Sequence, residues 1–274
     1  MSIQGIVSIL TSAGIEQREA VQEVKMLIEH FCNYGAKDII MGKPLDYEKL
    51  KIVKKKAEHR AKTREPIQYI IGKAYFMGNY YKVTPDVLIP RDETEIVVDH
   101  ALDIIKDNNL KNVLDIGTGS GCIACTIKLK TNTNVVGIDI SKNALKIAKE
   151  NTLSHHAQVD YIQSDLFSNL SKDTKFDLII SNPPYIPIGT ELQREVQFEP
   201  KTALFTSEKT GCEFYKKIIE HGKDYLNDGG YIVFELGINE SELVKTYFKS
   251  NGYTQITVIK DLAGIDRVIS AQIQ

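Results

Sequence analysis

From residue 112 onward, short apolar runs alternate with helical patterns, and this alternation constrains the fold more than any other feature of the chain. Strands are predicted at 112–116, 135–139, 159–163, 176–181, 230–236, 253–259 and 266–272, and helices at 120–130, 141–151, 211–226 and 239–250. Strands joined through crossover helices run parallel, because the helix carries the chain back to the sheet's starting edge. Such a sheet is covered on both faces, so its strands are apolar throughout instead of alternating with polar residues. The last two strands are separated only by Lys260-Asp261-Leu262-Ala263-Gly264-Ile265-Asp266, too short for a helix. They must pair as a hairpin, which places one antiparallel strand at or near an edge. The expected architecture is α/β: a Rossmann-like, seven-stranded, mostly parallel sheet with one antiparallel strand.

Upstream the pattern differs. Residues 2–63 read as helical, with Val21, Val24, Leu27, Ile28 and Phe31 at helical spacing and breaks at Gly35, Gly42 and Pro44. Lys51 to Arg64 is strongly basic and reads first as a solvated helix face, second as a surface for an acidic partner such as ribosomal RNA or a protein. Between Glu65 and Val83, the spacing of Ile67, Tyr69, Ile71, Tyr75, Phe76, Tyr80 and Tyr81 predicts a β-hairpin. Asp92 with Glu95 resembles a capping box opening a helix to about residue 107. The expected organisation is a helical domain at 1–64, a hairpin linker at 65–90 and a catalytic domain at 91–274.

The bulk properties exclude some function classes. A formal net charge of −2 over 274 residues argues against broad, charge-driven nucleic-acid binding, so stable DNA binding is not expected. No apolar run approaches the ~20 residues of a membrane span, and the first residues lack a basic start with a signal-type apolar core. Of Cys32, Cys122, Cys125 and Cys212, only Cys122 and Cys125 have Cys-x-x-Cys spacing, without the second pair a zinc site needs. Buried thiols in a reducing cytoplasm, and no metal, are expected. His155-His156, on a helix-to-strand connection, is read as surface.

The chemistry concentrates at strand ends. The strand at 176–181 runs into Asn182-Pro183-Pro184-Tyr185. Pro183 and Pro184 lack N–H groups and fix their own φ, giving a stiff loop rich in carbonyl acceptors. Asn182 adds a side-chain carbonyl and Tyr185 a flat ring, so a planar –NH2 could donate both hydrogens here. Upstream, Asp115-Ile116-Gly117-Thr118-Gly119-Ser120-Gly121 is a strand followed by a Gly-rich turn and a helix. Its acidic residue precedes the glycines, where it would repel a pyrophosphate and attract an ammonium group. S-adenosylmethionine, which has an amino-acid tail and no phosphate, suits this loop better than a dinucleotide does. Asp139, 24 residues beyond Asp115, can accept from ribose hydroxyls. Asp165 can accept from an adenine amino group, with Leu166 or Phe167 against the ring. Four successive strands thus place polar groups at their carboxyl ends, where open α/β sheets bind ligands.

Residues 112–182 resemble the class I S-adenosylmethionine-dependent methyltransferases. Four further stretches are 65–72 (Glu-Pro-Ile-Gln-Tyr-Ile-Ile-Gly), 83–91 (Val-Thr-Pro-Asp-Val-Leu-Ile-Pro-Arg), 182–185 (Asn-Pro-Pro-Tyr) and 261–267 (Asp-Leu-Ala-Gly-Ile-Asp-Arg). In combination they resemble the bacterial release factor glutamine methyltransferases over nearly the whole catalytic domain and the hairpin. The resemblance implies N5-methylation of the glutamine amide in the Gly-Gly-Gln motif of class 1 peptide chain release factors, with S-adenosyl-L-homocysteine as product. It implies that Asp115, Gly117, Thr118, Gly119 and Gly121 hold the methionine part of the cofactor, Asp139 the ribose and Asp165 the adenine with Leu166 and Phe167. Asn182, which would also border the cofactor, and the Pro183 carbonyl would take the glutamine amide, with Pro184 and Tyr185 beside it and Arg91 in support. Asp92 stands where the resemblance leads one to expect a second proline, and residues 206–211 are less rich in Gly and Asp than usual, placing them outside the chemistry. A cytoplasmic monomer is expected. The alternatives are an adenine-N6 DNA methyltransferase, whose exocyclic amine fits the same pocket, and a binding module that keeps the fold without turnover.

Overall fold

The computed structural model describes residues 2–274, and for Ala36 and Ile39 the backbone alone. In chain order the elements are α1 (Ile3–Ser12), α2 (Gln17–Cys32), α3 (Ala36–Ile40), α4 (Tyr47–Thr63), α5 (Ile67–Ile71), β1 (Lys73–Phe76), β2 (Asn79–Lys82) and α6 (Asp92–Asp107). There follow β3 (Asn112–Ile116), α7 (Cys122–Lys130), β4 (Asn134–Asp139), α8 (Lys142–Ser154), β5 (Asp160–Gln163), β6 (Phe176–Ser181) and β7 (Ile186–Pro187). The chain ends with α9 (Lys201–Leu204), β8 (Phe205–Thr206), α10 (Glu213–Gly222), β9 (Leu226–Glu235), α11 (Ser241–Ser250), β10 (Tyr253–Lys260) and β11 (Asp266–Ile273). It divides into two compact units, one reaching to Lys73 and including Leu192–Phe198, the other comprising Ala74–Glu191 and Glu199–Gln274.

In the larger unit a seven-stranded sheet has the order β10-β11-β9-β6-β3-β4-β5. Neighbours from β9 to β5 pair in parallel, and β11 runs antiparallel to both β9 and β10. The short 260–266 connection makes β10 and β11 an antiparallel hairpin, and β11 lies between β10 and β9, so the antiparallel strand is second from the edge. Successive side chains of a strand point to opposite faces, and here both faces are buried. On β6, Ile179 joins the core beneath α10 and α11, while Leu178 and Ile180 join the core beneath α6 and α7. On β9, Ile232 and Phe234 take the first face and Val233 the second. All four cysteines are buried and free, and burial pushes the thiols of Cys122 and Cys125 up to about 12 and about 11.

Two local expectations are corrected. Residues 67–71 form a helix, not a strand; Pro66 precedes it and Gly72, at φ 75°, ends it, so the hairpin is confined to β1 and β2. The capping box at Asp92 does not form. Arg91 is the N-cap without a side-chain bond, and Glu95 Oε1 accepts from the Met77 amide at 2.6 Å instead. That bond ties α6 to the hairpin turn.

In the smaller unit, Asp46 accepts from the amides of Glu48 and Lys49 and so starts α4. Leu50, Val53 and Ala57 of α4 pack on Leu10, Val24 and Leu27. Arg60 continues the same stripe and is buried, which corrects the reading of 51–64 as a uniformly solvated face. Its guanidinium donates to buried Glu23 at 2.8 and 3.0 Å and to Glu195 at 3.0 Å. Removing one partner of a buried pair strands the other charge and typically costs about 3–5 kcal/mol. Arg60→Met should therefore destabilise this unit by roughly that amount, whereas Lys54→Met, in an exposed pair with Glu58 at 3.4 Å, should change stability by less than about 1 kcal/mol. Urea unfolding of the two variants measures the contrast.

Candidate functional site

Parallel strands end at one edge, and the strand order reverses where β3 and β6 lie side by side. This is the crevice in which open α/β sheets bind ligands. A cavity of about 350 Å³ opens there, within the range of small-molecule sites. Its wall includes Gly117 and Gly119 after β3, Asp139 after β4, Asp165 and Leu166 after β5, and Asn182, Pro183 and Pro184 after β6.

The Gly-rich turn is built by its own backbone and by Asp139. The amides of Gly117 and Thr118 both donate to the Ile138 carbonyl at 2.9 Å. Asp139 accepts from the amides of Gly119 at 2.9 Å and Ser141 at 2.8 Å, and burial still raises its carboxyl above the usual range. Two carboxylate oxygens offer about four acceptor sites, so capacity remains for ligand hydroxyls. Gly119 has φ 53° and almost open space where a side chain would begin. Gly121 is different: a Cβ there would lie 2.6 Å from the Tyr161 hydroxyl and 2.9 Å from Ala148. It serves the close packing of α7 and α8 and does not line the cavity. Asn151 of α8 secures the turn from behind, donating to the carbonyls of Ser120 and Lys82 at 2.8 and 3.0 Å.

Asp115 is fully buried. Thr118 donates to its Oδ2 at 2.6 Å, but its Oδ1 has no protein partner, and burial pushes the carboxyl up to about 7. An unsatisfied buried acceptor behind a Gly-rich turn suits a ligand that brings a donor or a positive charge. Phe167 lies in the core, stacked on Tyr225 with ring centroids 4.7 Å apart, and leaves Leu166 to meet the cavity. Arg91 pairs with buried Glu199, which also accepts from the Ile89 amide at 3.0 Å. It holds the 89–91 segment and is not on the cavity wall.

The Asn182-Pro183-Pro184-Tyr185 turn is fixed from both ends. Ser181 donates its hydroxyl to the Ile116 carbonyl at 2.7 Å, and beyond Tyr185 the short β7 pairs with β8. Asn182 Nδ2 donates to Thr94 Oγ1 at 3.3 Å, and Thr94 donates to Glu235 Oε2 at 2.5 Å. The Tyr185 hydroxyl reaches Glu235 Oε1 at 3.5 Å. Residues 206–211 are nearer than expected: a Cβ on Gly211, at φ 76°, would fall 2.5 Å from the Tyr185 carbonyl oxygen. Sequence reasoning also missed Asp86, Val87, Leu88, Phe214 and Lys217 on the wall, and Glu235 behind it. Glu235 had a legible signal, since it ends β9 at the same address where Asp139 ends β4.

Burial raises Glu235 and Glu240, like Asp115, to about 7. A carboxyl whose folded pKa exceeds its unfolded value stabilises the fold below the unfolded value, and that contribution is lost as pH rises through the folded one. The ligand-free protein should therefore melt progressively lower between about pH 5 and 8. Asp115→Asn should flatten part of that slope in calorimetric scans; an unchanged slope would show that Asp115 is already ionised in the folded state.

A family model described as "Methyltransferase small domain" matches residues 94–197, and one described as "Eco57I restriction-modification methylase" matches residues 156–257. The "Release factor glutamine methyltransferase" of Geobacter sulfurreducens is 42% identical over 84% of this chain and 81% of its own length. The protein of the same name from Fusobacterium nucleatum is 41% identical over 78% of this chain, which spans 61% of that protein's length. Among solved structures, a methyltransferase from Pyrococcus furiosus superposes with a TM-score of 0.53 at 20% identity, covering 70% of this chain and 87% of that one. That last likeness is one of fold. Identity of 42% over most of both chains is closer kinship: this chain is an S-adenosylmethionine-dependent methyltransferase and belongs to the release factor glutamine methyltransferase family.

Proposed function

We propose that this protein methylates the side-chain amide nitrogen of the glutamine in the Gly-Gly-Gln motif of class 1 peptide chain release factors, tuning translation termination. The observation that carries the reading is the place of Asn182, Pro183 and Pro184 on the wall shared with Gly119 and Asp139. A turn made to hold an –NH2 group thereby faces the same cavity as the loop and carboxylate suited to the methyl donor. The names of the relatives from Geobacter sulfurreducens and Fusobacterium nucleatum support the choice of acceptor.

The residues present suit S-adenosylmethionine, which supplies an electrophilic methyl group on a sulfonium sulfur. Asp139 would hold the ribose and Asp165 the adenine amino group, while Gly117, Gly119 and the buried Asp115 would hold the methionine end. An amide nitrogen is a weak nucleophile because its lone pair is shared with the carbonyl. The side-chain oxygen of Asn182 and the carbonyl of Pro183 would accept its two N–H groups and fix the direction of the lone pair. Pro183 and Pro184 offer no competing N–H, and Tyr185, off the cavity wall with its hydroxyl toward Glu235, would support the turn from behind. Catalysis of this kind rests on position and preorganised dipoles. The nitrogen becomes strongly acidic once methylated, so water can take its proton and no dedicated side-chain base is needed.

A second reading, methylation of the adenine amino group in DNA, gains from the match of residues 156–257 to a restriction-modification methylase. The net charge of −2 weighs against it. Labelled S-adenosylmethionine offered with a release factor or with adenine-rich duplex separates the two. Label mapping to the Gly-Gly-Gln peptide is expected, and label on DNA alone would reverse the assignment. Asn182→Ala should lower turnover by about 100-fold or more while cofactor affinity, read by calorimetry, stays within about threefold. Near-parental turnover in that variant would refute the acceptor role of Asn182.

A further inference from the structure

A side-chain amide is nearly symmetric in shape, so nothing steric decides whether Asn182 turns its oxygen or its nitrogen toward the cavity. The decision has to come from a partner of fixed polarity. The group behind Asn182 is Thr94 Oγ1, 3.3 Å from Nδ2, and a hydroxyl can donate or accept. A hydroxyl has only one hydrogen, however, and that of Thr94 goes to Glu235 Oε2 at 2.5 Å. When Glu235 is ionised that hydrogen is spent, and Thr94 has only lone pairs left for Asn182, so the NH2 end must face Thr94 and the oxygen the other way.

We propose that Thr94 and Glu235 are positioning residues that fix the polarity of Asn182, holding its acceptor oxygen toward the cavity. The inference rests on the reading of Asn182 as the acceptor for a substrate –NH2. Both residues are buried, Thr94 in the first turn of α6 and Glu235 at the end of β9, so two separate elements meet behind the β6 turn. Burial pushes the Glu235 carboxyl up to about 7; of the groups around it, Thr94, Arg267 and Arg91 favour its ionised form, Glu93 opposes it, and the Tyr185 hydroxyl lies at 3.5 Å. An ionised Glu235 can only accept, and this is what makes the direction of the relay unambiguous. If the order were reversed, the Asn182 NH2 would meet the substrate NH2, donor against donor. The site would then still bind cofactor but would fail to orient the nitrogen.

The test compares the parent with Thr94→Val, Thr94→Ser and the double variant Thr94→Val/Glu235→Gln at pH 8.5, where Glu235 is mostly ionised. Thr94→Val should lower kcat by about 100-fold, with cofactor affinity within about threefold, and Thr94→Ser should restore turnover to within about fivefold. The double variant, which leaves no unpaired buried charge, should stay as slow as Thr94→Val. Recovery in the double variant would assign the defect to the stranded carboxylate and overturn the proposal, as would equal losses in the serine and valine variants. Failure of both valine variants to bind cofactor would overturn it too, because the pair would then be holding the fold. A readout independent of the methyl acceptor comes from the ¹⁵N side-chain amide resonance of Asn182, assigned by Asn182→Ala. The one Nδ2 proton held by Thr94 should exchange slowly with solvent in the parent and in Thr94→Ser, and quickly in Thr94→Val. Fast exchange in the parent refutes the relay, whereas slow exchange in a parent that does not methylate release factor refutes only the substrate reading.

Discussion

The carboxylate of Asp139 stands at the end of one strand and accepts from the backbone of two different segments, Gly119 after β3 and Ser141 before α8. Through these bonds a single side chain sets the separation of the Gly-rich turn from the next crossover. The turn can therefore expose its backbone to a ligand without collapsing onto β4. The parallel sheet makes this possible, because β3 and β4 end at the same level and register Asp115 against Gly137 and Ile116 against Ile138. Gly137 must lack a side chain in this register, since a Cβ would lie 2.6 Å from the Tyr161 ring.

Around that edge the protein tolerates costly groups. Asp115, Glu235 and Glu240 are all buried carboxyls, yet they are satisfied very differently. Glu235 has Thr94, and Glu240 accepts from the Gly237 amide at 2.9 Å. Asp115 keeps one oxygen without a partner. Buried polar groups are normally paired, and an orphan is expensive in a low-dielectric interior. Two of the three carboxyls thus find partners within the protein, and one keeps an acceptor oxygen open behind the Gly-rich turn.

The sheet, its parallel run and its antiparallel exception were legible because crossover length and strand periodicity dictate them almost alone. Residues 67–71 were misread for a physical reason. Ile67, Tyr69 and Ile71 alternate as in a strand, but over five residues the spacing i, i+4 belongs to both periods, and here Ile67 and Ile71 share a helix face in the smaller unit's core. Arg60 looked like one of many solvated cations, although Leu50, Val53, Ala57 and Arg60 follow helical spacing. Charge masked the stripe. On the cavity wall, Asp139, Asp165 and Asn182 were legible because each ends a strand or closely follows one. Gly121 and Phe167 lie in the same motifs but point into packing, and a motif does not separate lining from support. Thr94 was invisible because its role depends on a partner 141 residues away.

Gly211 imposes a rule on how this chain can drift. Before it, Thr206 is buried in β8 and Ser207 is tied to Glu213, while Glu208 to Thr210 are exposed. At 211 the backbone is left-handed, and any side chain would collide with the Tyr185 carbonyl and the Glu240 carboxylate. The loop before α10 thus contains one position where only glycine fits, directly against the turn that lines the cavity.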